Sequence, residues 1–168
     1  MKRLIVVMAA SVAMACSAPS PTAPSATGAS GSLDAVVPDM ADHGGRALEA
    51  PLAGAGVIPG PGDPDGSGQF NMSANGGQAE ICYALRALGI GTITEVHLHY
   101  GEAGVNGENV FTLALPTGNY SRGCVDNLDR RLIHSILSKP ADYYIAVHTA
   151  EYPDGALRGQ LAFNRKPY

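Results

Sequence analysis

Between Phe70 and Phe163 the chain alternates apolar and polar side chains over short runs, and nearly every run stops at a cluster of Gly, Pro, Asn or Asp. Successive side chains on a strand point to opposite faces, so each run offers one face to a core and one to the outside. Phe70, Met72 and Ala74 alternate with Asn71 and Ser73, and Asn75-Gly76-Gly77 supplies a turn into Ile81, Tyr83 and Leu85, which predicts a hairpin. Val96, Leu98 and Tyr100 alternate with Glu95, His97 and His99; Val110 to Leu115 reads as a further strand; Ile145 and Val147 alternate with Tyr144, Ala146 and His148. Leu157, Leu161 and Phe163 point inward in the last run and leave Arg158 and Gln160 outside, after a hairpin turn at Tyr152-Pro153-Asp154-Gly155. Ala47 to Ala55 is a weaker strand candidate. Only Val125, Leu128, Leu132, Ile133, Ile136 and Leu137 recur at helical spacing, with Asp126 as the expected cap, Asp129 in the first turn and Pro140 at the end. The expected fold is mainly β: an antiparallel Greek-key-like sandwich or barrel with one helix in a connection.

A chain of 168 residues leaves room for one such domain. Met1, Lys2 and Arg3 precede an apolar run from Leu4 to Ala15 that is too short to span a bilayer and reads as a signal peptide over residues 1–15. Val12-Ala13-Met14-Ala15-Cys16 resembles a bacterial lipoprotein signal, with Ala13 where Leu is usual and Met14 where a smaller residue is usual. Two outcomes follow: lipid attachment at Cys16, or simple secretion after cleavage at Ala15. Residues 16–45 are rich in Ser, Pro, Ala, Thr and Gly and read as a flexible tether, spanning roughly 30 Å for about 30 residues. The β domain is placed at residues 46–165.

Three cysteines occur, Cys16, Cys82 and Cys124. With Cys16 lipidated, Cys82 and Cys124 remain as a pair in an oxidising compartment, where a crosslink would contribute about 3 to 5 kcal/mol. Fifteen acidic residues face eleven basic ones, and loss of Lys2 and Arg3 with the leader makes the balance more acidic by two. No basic cluster follows a phosphate backbone, which argues against nucleic acid as a partner. The expected partners are the membrane, through the anchor, and an extracellular protein or cell-envelope ligand. The expected location is the cell envelope, or the exterior if Cys16 carries no lipid.

Two stretches carry a family resemblance: His97-Leu98-His99-Tyr100-Gly101-Glu102-Ala103-Gly104-Val105-Asn106-Gly107, and Tyr143-Tyr144-Ile145-Ala146-Val147-His148-Thr149 running on through Pro153 and Gly155 to Arg158-Gly159-Gln160-Leu161. Together they resemble the paired signatures of the chordin-type (CHRD) domain, over about residues 46 to 163. Glu108 stands where the family usually has Pro, Ala146 where it usually has Asn, and Gly56-Val57-Ile58-Pro59 keeps an early family segment only loosely. The resemblance implies an extracellular β domain, with growth-factor binding in the best-known animal member and no settled activity in bacterial ones.

Alternation alone puts His97, His99, His148, Arg158 and Gln160 on non-core faces. Imidazole suits copper, zinc, iron or nickel, and a His-x-His pair with a distant third His supplies three ligands. Arg158 and Gln160 would then stand in the surrounding shell. The arrangement also resembles a stripped Cu/Zn superoxide dismutase sandwich, although the Gly101 to Gly107 loop holds none of the further histidines of that enzyme. The competing expectation is structural: the histidines bond loop carbonyls and neighbouring hydroxyls to hold the Gly-rich turn. His43 and His134 fall outside the pattern. The Gly101, Gly104 and Gly107 spacing opens no helix, so it offers no phosphate cradle, and Asn106-Gly107 is expected to supply left-handed turn conformations. No Gly-x-Ser-x-Gly elbow or His-Glu-x-x-His motif occurs, and the carboxylates are scattered over turns and the helix without a pair that can be placed on one site. The leading functional expectation is therefore a non-catalytic surface module with a binding or structural role. A copper or zinc protein using His97, His99 and His148 is the alternative, and a dismutase-like enzyme a third.

Overall fold

The computed structural model describes residues 44–165. The expected signal peptide, Cys16 and the tether as far as residue 43 lie outside the described residues. Nine strands form a single curled antiparallel sheet, a half-barrel, in agreement with the mainly β expectation. They are β1 (Arg46–Ala53), β2 (Ser67–Asn75), β3 (Glu80–Leu88), β4 (Ile93–Tyr100), β5 (Glu108–Thr112), β6 (Tyr120–Val125), β7 (Tyr143–Thr149), β8 (Leu157–Gln160) and β9 (Ala162–Phe163), with one helix, α1 (Arg130–Ser138), between β6 and β7. The spatial order is β5-β4-β7-β8-β1-β2-β3-β6, and β9 pairs with β1.

The predicted hairpin is β2 and β3, in register from Ser67 opposite Leu88 to Asn75 opposite Glu80. Asn75 Oδ1 accepts the amides of Gly77 and Gln78, so the turn is held by the side chain that begins it. The alternating apolar residues converge as expected: Phe70 and Met72 from β2, Leu85 from β3, Leu98 from β4 and Ile145 from β7 are all essentially buried. Helix α1 packs on this core with Ile133 and Ile136, both 0% exposed, each contributing about 1.5 to 3 kcal/mol by burial. Tyr143 Oη donates to Ser135 Oγ at 2.8 Å and ties the helix to β7.

Two local expectations are corrected. The helix starts at Arg130, not near Val125, and its cap is Asp129, whose carboxylate accepts the Arg131 amide at 2.8 Å, not Asp126. Val125 is instead the end of β6, opposite Ile81, and Asn127 adopts a left-handed conformation (φ 58°) that no helix could continue through. Strand β6 itself has no alternating signature, because Ser121, Arg122 and Gly123 offer no large apolar side chain. It is held by its ladder to β3 and by a disulfide joining Cys82 to Cys124, which face each other in the register. Strand β5 ends at Thr112 instead of Leu115, since Ala114 turns away to accept a bond from Ser121 and to donate its amide to Tyr83 Oη at 2.9 Å. No helix among the described residues is long and apolar enough to cross a membrane.

Candidate functional site

Strands β4 and β7 are antiparallel neighbours, with His97 opposite Ala146, His99 opposite Tyr144 and Glu95 opposite His148. Because period-two alternation already places these residues on the outer face, the pairing puts three imidazoles side by side. The ring centroids of His97 lie 5.5 Å from those of His99 and 5.2 Å from those of His148. One ligating nitrogen from each ring falls within 4.8 Å of the others. An ion bonded at about 2.0–2.1 Å separates two tetrahedral nitrogens by about 3.4 Å, so modest side-chain rotation closes the three rings on one ion.

Loops fix which nitrogen two of the three rings offer. His99 Nδ1 lies 3.0 Å from the Gly107 carbonyl oxygen, and His148 Nδ1 lies 2.9 Å from that of Pro153. A carbonyl only accepts, so each Nδ1 carries the proton and each Nε2 keeps its lone pair. Both Nε2 atoms are buried without a hydrogen-bond partner. Leaving a buried acceptor unpaired costs about 1 to 3 kcal/mol, and such an atom calls for an explanation. The structural expectation accounts for the Nδ1 atoms, which do bond loop carbonyls; it leaves the Nε2 atoms unexplained. Backbone carbonyls on the non-ligating nitrogen are the usual support of a metal-binding histidine.

Burial pushes the His97 pKa below its ordinary value, with His148 acting in the same direction and Glu95 against it; the Glu95 carboxylate lies 3.5 Å from His97 Nε2. Burial also lowers that of His99, opposed by its bond to Gly107 and reinforced by His97, His148 and Arg158. Both shifts favour neutral imidazole, the form that binds a cation.

Arg158 and Gln160 lie beside the cluster, bonded to the loop that supports it. Arg158 is covered and not on the open surface: it is 5% exposed. Its guanidinium donates to the Glu102 and Val105 carbonyls at 3.0 and 2.9 Å and to Asn106 Oδ1 at 3.1 Å. Gln160 Nε2 donates to the carbonyls of Gly101 and Ala141. Both side chains therefore clamp the Gly101 to Gly107 loop, whose last carbonyl holds His99. The loop needs Gly107 for space and not for a left-handed turn: a Cβ there would collide with the Tyr100 carbonyl, while the positive φ, 85°, belongs to Gly104.

Sequence reasoning missed Tyr144. Its ring stacks on His99, centroids 4.8 Å apart and 5° from parallel, with the Arg158 guanidinium 3.6 Å from the Tyr144 ring centroid. Its hydroxyl accepts the Gly107 amide at 3.2 Å. The only available signal was that Tyr144 shares the strand parity of His148. A cavity of about 190 Å³ borders His99 and His148, with Val57, Ala146, Asp154 and Arg158 also in its wall. His134 is an exposed helix residue away from the cluster, as expected. The second grouping of metal-capable side chains, Glu80 with Cys82 and Cys124, has both sulfurs committed to the disulfide.

No curated protein and no solved structure matches this chain. The family model of the CHRD domain matches residues 48–161, a span that holds the whole histidine cluster and its loop clamp, and the chain belongs to the CHRD family.

Proposed function

We propose that the domain is a surface-displayed metal-binding module, holding one copper or zinc ion between His97, His99 and His148. The observation that carries this reading is the pair of buried, unpartnered Nε2 atoms on rings whose Nδ1 atoms are already satisfied by loop carbonyls. Three neutral imidazoles suit either metal, and their supports belong to loops clamped by Arg158 and Gln160. This reading gives the site a binding role. Metal analysis of the full chain purified without a His tag, followed by calorimetric titration with copper and with zinc, tests it. One ion per chain is expected, lost in His97→Ala and His148→Ala and kept in His134→Ala. Absence of stoichiometric binding overturns it.

The lipid anchor at Cys16 belongs to the same reading. Its support is that the other two cysteines are joined to each other, as an oxidising, exported environment favours. Mass spectrometry of the N-terminal peptide from a membrane fraction should find acylated Cys16, and Cys16→Ser should release the protein; an unmodified N-terminus points to simple secretion. The partner expected there is an extracellular protein or an envelope ligand.

A further inference from the structure

We infer that the cavity beside the cluster supplies a small anion to the bound cation, at a coordination position that the three imidazoles leave over. This rests on the metal-binding reading above and deepens it. Three protein nitrogens leave a four-coordinate ion one ligand short, the arrangement that makes a metal site open to an exogenous group.

The ligand class follows from charge. The Gly107 and Pro153 carbonyls hold a proton on Nδ1 of His99 and of His148, and a ring that ligates through Nε2 is an uncharged donor, so these two ligands would cancel none of the ion's charge. Arg158, in the cavity wall, adds a positive charge whose hydrogen-bond partners are all neutral: two carbonyls and the side-chain amides of Asn106 and Gln160. Glu95 lies against His97 with its side chain 62% exposed, where solvent screens it. Asp154 is exposed at the cavity wall and outside the convergent set of ligand atoms. A site with this balance favours a monovalent anion.

The ligand size follows from the space. About 190 Å³ takes an anion of a few heavy atoms and not a bulky one. The wall between Tyr144 and His148 is the small side chain of Ala146, buried opposite His97.

The copper-loaded full chain tests this, with sodium azide, thiocyanate and benzoate as probes and the copper absorption bands as the readout. Azide and thiocyanate should each produce a saturable new charge-transfer band, and benzoate none. Ala146→Leu, which adds bulk to the cavity wall beside His97 and His148, should weaken azide by about tenfold or more on the copper-loaded variant. Copper bound with no saturable azide response overturns the inference and leaves the metal reading standing; so does an equal response to benzoate, or unchanged azide affinity in Ala146→Leu. A response that appears only in Asp154→Asn also overturns it, because Asp154 then fills the fourth position itself. Failure of the wild-type chain to bind copper or zinc overturns both. Should Ala146→Leu not fold, or lose copper, the azide and benzoate comparison on the wild-type chain decides.

Discussion

Nδ1 of His99 and the carbonyl oxygen of Gly107 lie 3.0 Å apart, and that contact settles which nitrogen of the ring is left for a ligand. The same glycine donates its amide to Tyr144 Oη, the ring stacked on His99. Gly107→Ala forces a Cβ into the Tyr100 carbonyl and must displace this segment. Copper or zinc affinity is expected to fall by about 10- to 100-fold, as for loss of other outer supports of a ligating histidine, and calorimetry on the folded variant measures it.

Arg158 is the keystone of the loop that carries Gly107. Arg158→Ala strips donors from the Glu102 and Val105 carbonyls and from Asn106. The expected loss of stability is about 3 kcal/mol, read from the urea midpoint at unchanged slope. Arg158→Lys should recover only a part of it, since one ammonium cannot match the fork of the guanidinium.

The Cys82–Cys124 disulfide closes a loop of sequence separation 42. Restriction of the unfolded chain over that length contributes about 4 kcal/mol, so the Cys82→Ser, Cys124→Ser double variant should lose roughly that amount in urea denaturation. The histidine cluster lies across the sheet from β3 and β6, and metal stoichiometry in the folded variant should not change.

Acid should destabilise the metal-free domain through the cluster. His97 and His99 have folded pKa values lowered from 6.5, with burial as the leading cause. The unfolded state therefore takes up protons first: the histidine contribution to stability is complete above about pH 6.5 and declines as pH falls from there toward the lowered folded values. Thermal midpoints of the metal-free chain at about pH 7.5 and 5.5 should show the drop, and the His97→Gln, His99→Gln double variant should show a smaller one. An equal drop in both proteins would assign it to carboxylates instead.

Much of this site was legible in the sequence, for an identifiable reason. Alternation fixes strand faces, so His97, His99 and His148 could be put on the outside of β4 and β7 from residue parity alone. Adjacency of β4 and β7 could not be read, because it depends on sheet order. The tautomers could not be read either, since Gly107 and Pro153 act through backbone carbonyls, which every residue possesses. Arg158 was placed on the correct face and given the wrong exposure: parity says which side a residue leaves from, and not whether a loop covers it. Strand β6 was missed because Gly123 packs against Tyr83 where an apolar side chain would have announced a strand. The helix start was misplaced because Leu128 and Val125 are apolar for the sake of the sheet and core, at a spacing that continues the helical period by coincidence.

The pairing of β4 with β7 has one more consequence. Val96 and Leu98 are wholly buried in the core while His97 and His99, between them, form the cluster. Sliding β7 by a single residue would turn Ile145 and Val147 outward and drive Tyr144 and His148 into the apolar interior. The cluster can therefore assemble only when the strands have found their native alignment.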